Sequence, residues 1–238
     1  MKRTLCGLMA LLLIISLCAC GKTVAEPEPT PTPKPLSETD KWALNVLARY
    51  NMDYSDFAEY WSLLCDNYFG EDFVKIINIL SDCESVDFSL EDKNAEIEAK
   101  RSEYEKKYGE GWCFEYGECV TEPLEARANE DFAAELESLY EDISVLTESA
   151  AGWGDSEWSY FAEGLGCSVD TAKELVSLYA SMGEKCHEAK VEDASSVTVV
   201  LTYGETEERY DTWLYRVNGV LVSQELIDSS LALINLIY

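Results

Sequence analysis

Nine cysteines, a single histidine and 46 acidic residues are the side chains from which chemistry would have to be built in this chain of 238 residues. The histidine, His187, directly follows Cys186 in the run Lys185-Cys186-His187-Glu188. A cysteine nucleophile needs its base to face it, and adjacent residues on one element diverge. Cys186 therefore reads as a core or disulfide residue, and His187 as a cation near a helix C-terminus, where the dipole favours positive charge. With one histidine and no C-x-x-C, a zinc site lacks ligands. No D-x-D-x-D-G loop is present to hold calcium. G-x-S-x-G, P-loop and H-E-x-x-H patterns are absent too. In so acidic a chain, a glutamate pair at glycosidase spacing arises by chance. The sequence assigns no catalytic residue, no metal and no cofactor.

Contact chemistry has a better candidate. Residues 152–166 read G-W-G-D-S-E-W-S-Y-F-A-E-G-L-G, with Trp153, Trp158, Tyr160 and Phe161 between glycines. Aromatic faces flanked by acids suit a stacking platform for sugars or peptides, and Trp153, Trp158 and Tyr160 are the ligand-contact candidates. The competing reading makes Asp155 a helix cap and turns Trp158, Phe161, Ala162 and Leu165 inward. Trp153 lies off that stripe and is the better contact residue.

Cys20 has a setting of its own. Lys2 and Arg3 precede an apolar run over residues 5–17, which ends in Leu17-Cys18-Ala19-Cys20. A positive start, an apolar stretch and small residues before a cut site make a secretory signal peptide. The run is shorter than the ~20 residues that span a bilayer. Leu17, Ala19 and Cys20 resemble the bacterial lipobox, with Cys18 a less usual residue at its second position. That resemblance implies cleavage before Cys20 and diacylation of its sulfur, leaving the chain anchored to the cell membrane and facing outside. Two acyl chains hold where one is marginal. Residues 22–35 follow as K-T-V-A-E-P-E-P-T-P-T-P-K-P, with proline at every second position from Pro27 to Pro35. Such a segment extends as polyproline II at ~3.1 Å per residue and makes a spacer of up to ~40 Å.

Loss of residues 1–19 removes Lys2 and Arg3 but no acid, leaving 16 bases against 46 acids and a formal charge of −30. Nucleic acid and anionic lipid are repelled by such a surface, so lipid at Cys20 rather than charge is the expected membrane grip. The remaining partner is an unknown protein or small-molecule ligand. Six cysteines stay in the mature domain beyond Cys20: Cys65, Cys83, Cys113, Cys119, Cys167 and Cys186. An even set in an exported domain fits disulfides, with fifteen possible pairings for six thiols. Neighbours such as Cys167 and Cys186 are the simplest pair. The alternative is that several are small buried hydrophobes.

The elements that must position these groups follow from periodicity. Ser37 with Asp40 is a capping-box pattern ahead of Trp42, Val46, Leu47 and Tyr50. Phe57, Tyr60, Trp61, Leu64, Cys65 and Tyr68 make an amphipathic stripe, and Phe73, Ile76, Ile77 and Leu80 repeat it after Gly70. Ser89 opens a charged helix reaching Tyr108 and stopped by Gly109. Trp112, Phe114 and Tyr116 alternate as a strand. Cys113 and Cys119 share that strand's face, too far apart to bridge unless Gly117 turns the chain. Asn129 caps a helix with Phe132, Leu136, Leu139, Tyr140 and Ile143 inward. Thr171 and Glu174 open another, with Ala172, Leu175, Tyr179, Met182 and Cys186 buried. Val197, Val199, Leu201 and Tyr203 then change the period to two. Asn218-Gly219 marks a two-residue hairpin with Val217 opposite Val220. It aligns Trp213, Tyr215, Val217, Val220 and Val222 on the face that helices should cover. Residues 226–238 fit a terminal helix or a last strand.

This layout, a helix and then V-T-V-V-L-T-Y-G and W-L-Y-R-V-N-G-V-L-V, resembles the cystatin-like/NTF2-like lipoprotein domains of monoderm bacteria over about residues 88–225. Val217-Asn218-Gly219 and Val222 match their last hairpin, while Val220 and Leu221 stand where Lys and Trp are usual. The resemblance implies an α+β fold, with N-terminal helices packed on a curved antiparallel sheet. It does not imply protease inhibition, because Q-x-V-x-G is absent. The expected organisation is signal peptide at 1–19, lipidated cysteine and tether at 20–36, helical segment at 37–87 and α+β domain at 88–238. The expected function is non-catalytic binding outside the cell. The alternatives are an NTF2-like enzyme with a carboxylate in the sheet pocket, and a solute-binding lipoprotein, for which two α/β lobes are lacking.

Overall fold

Ser37 and Asp40 close the reciprocal cap that their spacing anticipates. Ser37 N–H donates to Asp40 Oδ2 at 3.0 Å, and Asp40 N–H donates to Ser37 Oγ at 3.0 Å. The cap starts α1 (Glu38–Asn51), which buries Trp42, Ala43, Val46 and Tyr50. The structure, a computed structural model, describes residues 36–51, 68–86 and 91–237, with the side chains of 91–98 and 100 excepted. Cys20 and its tether, the stripe from Phe57 to Cys65, and the Ser89 cap lie outside the described residues.

Gly70, at φ 66, turns the chain into α2 (Glu71–Asp82), whose Phe73, Ile76, Ile77 and Leu80 are all buried. α3 (Glu91–Tyr108) ends where Gly109 takes φ +92. It delivers Tyr104 and Tyr108 to a cluster with Trp112, Phe114 and Tyr203. β1 (Glu115–Pro123) leads to α4 (Ala126–Ala151), α5 (Asp155–Leu165) and α6 (Val169–His187). β2 (Val191–Tyr203), β3 (Thr206–Val217) and β4 (Val220–Ser223) follow, then α7 (Gln224–Asn235). The strands form an open antiparallel meander in the order β1-β2-β3-β4. The fold is α+β, with seven helices among the described residues.

Two apolar layers hold the sheet, one on each face. Ala194, Tyr215, Val217 and Val222 join the core built by α2, α4, α6 and α7. Phe132 of α4 stacks on Tyr215 with ring centroids 3.6 Å apart. The opposite face, with Val197, Val199, Leu201 and Leu214, packs on α1 and Phe114. Strand alternation explains the division: Leu214 and Tyr215 are neighbours in sequence and point to opposite faces. Each fully buried aliphatic or aromatic side chain contributes about 1.5–3 kcal/mol before entropy is subtracted.

Several expectations shift in register or extent. α4 begins at Ala126 rather than after an Asn129 cap, and the Asn129 amide instead donates to Glu192 O at 3.4 Å. α6 is capped by Ser168, whose Oγ accepts the Thr171 N–H at 3.1 Å. The Asn218-Gly219 turn has φ 49 and 79 and pairs Val217 with Val220, as the hairpin pattern requires. Trp213 shares a face with Tyr215 but remains 50% exposed, bordering a surface hollow with Gln224, Glu225 and Asp228 at the start of α7. The C-terminal segment is helical. Leu226, Ile227, Ser230, Leu233 and Ile234 recur at helical spacing and are buried.

Candidate functional site

The connector from α4 to α5 is three residues long and carries one large side chain, Trp153, between Gly152 and Gly154. Gly152 caps α4, and Gly154 caps α5. The Gly154 N–H donates to Glu157 Oε2 at 3.1 Å, and the Ser156 hydroxyl donates to the same oxygen at 3.0 Å. Hydrogen bonds from its own backbone N–H, from Ser156 and from Gly154 hold the Glu157 carboxyl below the usual carboxylate range. Glu157 is therefore an anion fixed in place at the start of α5, where the helix dipole also favours negative charge.

Trp153, Ser156, Glu157, Tyr160 and Phe161 form one wall of a cleft of about 700 Å³. Its other walls come from far away in sequence: Ser85 and Val86 after α2, and Leu236 and Ile237 after α7. That volume suits a small molecule or a short peptide segment. Trp153 is half-buried, edge-on to Trp158 at 4.9 Å and 5.0 Å from Phe161. Tyr160 is 81% exposed and stands at the cleft rim. Trp158 is not part of the wall. It lies behind Trp153 with Lys173 Nζ 5.6 Å from its ring, and so supports the contact surface rather than forming it.

Of the three aromatic candidates, the structure thus brings Trp153 and Tyr160 to one cleft and sets Trp158 in support. Phe161, read from the sequence as a helix anchor, both packs on the core and lines the cleft. Val86, Leu236 and Ile237 had no signal pointing to a site, since nothing local in the sequence reports a contact across some 150 residues.

Other sequence candidates lie elsewhere. His187 is exposed at the end of α6, with its ring 4.6 Å from Tyr140. Cys186 is buried one residue earlier, and burial pushes its thiol up to about 12. Cys113 is exposed and Cys119 half-buried, on either side of an irregularity in β1 at Gly117. Cys167 and Cys186 stand at opposite ends of α6, roughly 28 Å apart by the helical rise of ~1.5 Å per residue, so they cannot pair. Cys65 lies outside the described residues. Among the described residues, no group of three or more His, Cys, Asp or Glu side chains is placed to hold a metal ion. The sheet face beneath the helices, where an enzymatic carboxylate would sit, is filled by Phe132, Tyr215, Val217 and Val222.

Comparison with known proteins finds no matching family model, no matching curated protein and no matching solved structure.

Proposed function

We propose that this chain is a lipid-anchored lipoprotein facing outward from a cell membrane, and that residues 36–238 are a non-catalytic binding domain. Its ligand surface is the cleft beside α5. The observation that carries the binding part of this reading is the cleft itself. Two aromatic faces, Trp153 and Tyr160, converge there with a fixed carboxylate, Glu157, in a cavity of about 700 Å³. Such a surface suits an amphipathic ligand, with an apolar face for stacking and hydroxyl or amino donors for Glu157 and Ser156. The helix-on-sheet arrangement and the Asn218-Gly219 hairpin support assignment to the cystatin-like/NTF2-like class. The α1 layer on the second sheet face is an addition to that pattern.

Two expected outcomes test the parts separately. Mass spectrometry of the mature protein taken from its native membrane should give a chain that begins at Cys20 and carries a diacylglyceryl thioether. An unmodified terminus, or a cut elsewhere, would end the anchor reading. Tyr160→Ala should leave the unfolding free energy nearly unchanged, within about 0.5 kcal/mol, because an 81% exposed ring contributes little to folding. A large loss of stability would make Tyr160 structural instead.

A further inference from the structure

The turn after α2 runs alongside the chain that leaves α5. Glu84 N–H donates to Gly166 O at 3.4 Å, and Ser85 N–H donates to Leu165 O at 3.2 Å. Numbers rise on one segment as they fall on the other, so the next step sets Cys83 opposite Cys167. The two backbones are in close contact, since a Cβ built on Gly166 would stand 2.7 Å from Ser85 N. A disulfide spans Cα atoms ~4.4–6.8 Å apart, a range that two segments docked this closely allow. Cys83 and Cys167 are free thiols, near enough for one to act on the ionisation of the other. Their backbones are tied down as well: Cys83 N–H donates to Leu80 O and Cys167 N–H to Ala162 O. The other described thiols have different neighbours, Cys119 facing Asp40 and Cys186 lying in the core beside Tyr68.

We propose that Cys83 and Cys167 are a disulfide pair that staples two walls of the α5 cleft together. Ser85 and Val86 lie just beyond one cysteine, and Gly164 and Leu165 just before the other, and all four line the cleft. The bridge adds a covalent tie to the two backbone hydrogen bonds that already dock these segments. The oxidant is a disulfide donor, a small molecule or a protein, of the kind an oxidising export compartment supplies.

The chemistry is thiol–disulfide exchange. Cys167, the more accessible of the two, loses its proton, and its thiolate attacks one sulfur of the donor. A mixed disulfide forms and the donor's first thiolate leaves. Cys83 then loses its proton and attacks Cys167 Sγ, which forms the internal bond and expels the donor's second thiolate. Two protein thiols give up two electrons and two protons, and one donor disulfide becomes two thiols. Burial pushes the Cys83 thiol above its usual range. The closing step therefore quickens as pH rises.

The test needs no knowledge of the ligand or of the anchor. The purified full chain is oxidised with glutathione disulfide, blocked with N-ethylmaleimide, digested without reductant and analysed by mass spectrometry. The expected result is a peptide pair linked through Cys83 and Cys167. The oxidised form should melt roughly 5–10 °C above the reduced form, given the long loop the bridge closes. Cys83→Ser and Cys167→Ser should each abolish the linked peptide and make melting insensitive to reductant, while Cys119→Ser changes neither. Linkage of either cysteine to another partner, Cys65 included, would overturn the proposal. So would full alkylation of both thiols after oxidation, a result read on the unmutated protein and independent of whether a variant folds.

Discussion

Gly166→Ala is expected to destabilise the domain by about 2–4 kcal/mol. The residue caps α5 in the left-handed region, at φ 71, where an L side chain costs about 1–2 kcal/mol. It also has no room, because a Cβ would lie 2.7 Å from Ser85 N and 2.9 Å from Glu84 Cβ. Those neighbours are held by their hydrogen bonds to Gly166 O and Leu165 O and cannot yield cheaply. Overpacking of this kind adds about 1–3 kcal/mol. Gly204→Ala separates the two causes. Gly204 has φ +60 but nothing within 4 Å, so it should show the conformational cost alone. Chemical denaturation of both variants measures the difference. Equal losses would mean that the turn at 84–85 is not docked against α5.

Arg49→Ala is expected to cost about 3 kcal/mol by the same measurement. Arg49 is 4% exposed, which is rare for a charged residue, and its Nη1 donates to Glu225 Oε2 at 2.9 Å. Its guanidinium also lies 5.2 Å from the Tyr210 ring centroid. The pair joins α1 to the first turn of α7 across the edge of the sheet. Removing one partner leaves the other charge poorly solvated, which is why breaking a buried pair costs far more than the pair contributes. Burial, and next the Glu225 charge, push the Tyr210 phenol upward, consistent with so dry a site. The double variant Arg49→Met/Glu225→Met should therefore lose clearly less than the sum of Arg49→Met and Glu225→Met measured singly. Additive losses would show that the two residues do not depend on each other.

Legibility in the sequence followed the range of the forces involved. The Ser37–Asp40 cap, the Asn218-Gly219 turn and the stripes of α2 and α6 rest on contacts within four residues, and all of them appear in the fold. The start of α4 did not follow its local signal, because Asn129 is drawn to the carbonyl of Glu192 on a strand formed much later in the chain. The terminal segment was ambiguous between helix and strand until burial of Leu226, Ile227, Leu233 and Ile234 gave it a helical face. Trp213 has the right parity for the core but sits at the rim of the first turn of α7, half of it in solvent. The same division runs through the cleft. Its aromatic wall is one continuous stretch and was legible. Its facing wall, and the meeting of Cys83 with Cys167, depend on long-range docking that no local pattern encodes.

The claim that the α5 cleft is the binding surface meets its most direct test in a calorimetric screen of soluble oligosaccharides and short peptides. The unmutated domain and the Trp153→Ala/Tyr160→Ala variant would be titrated side by side. Loss of two stacking faces, at about 1.4 kcal/mol for each factor of ten, should weaken a genuine ligand tenfold or more while the variant remains folded. A panel without any binder, or a ligand whose affinity survives both substitutions, would contradict the assignment.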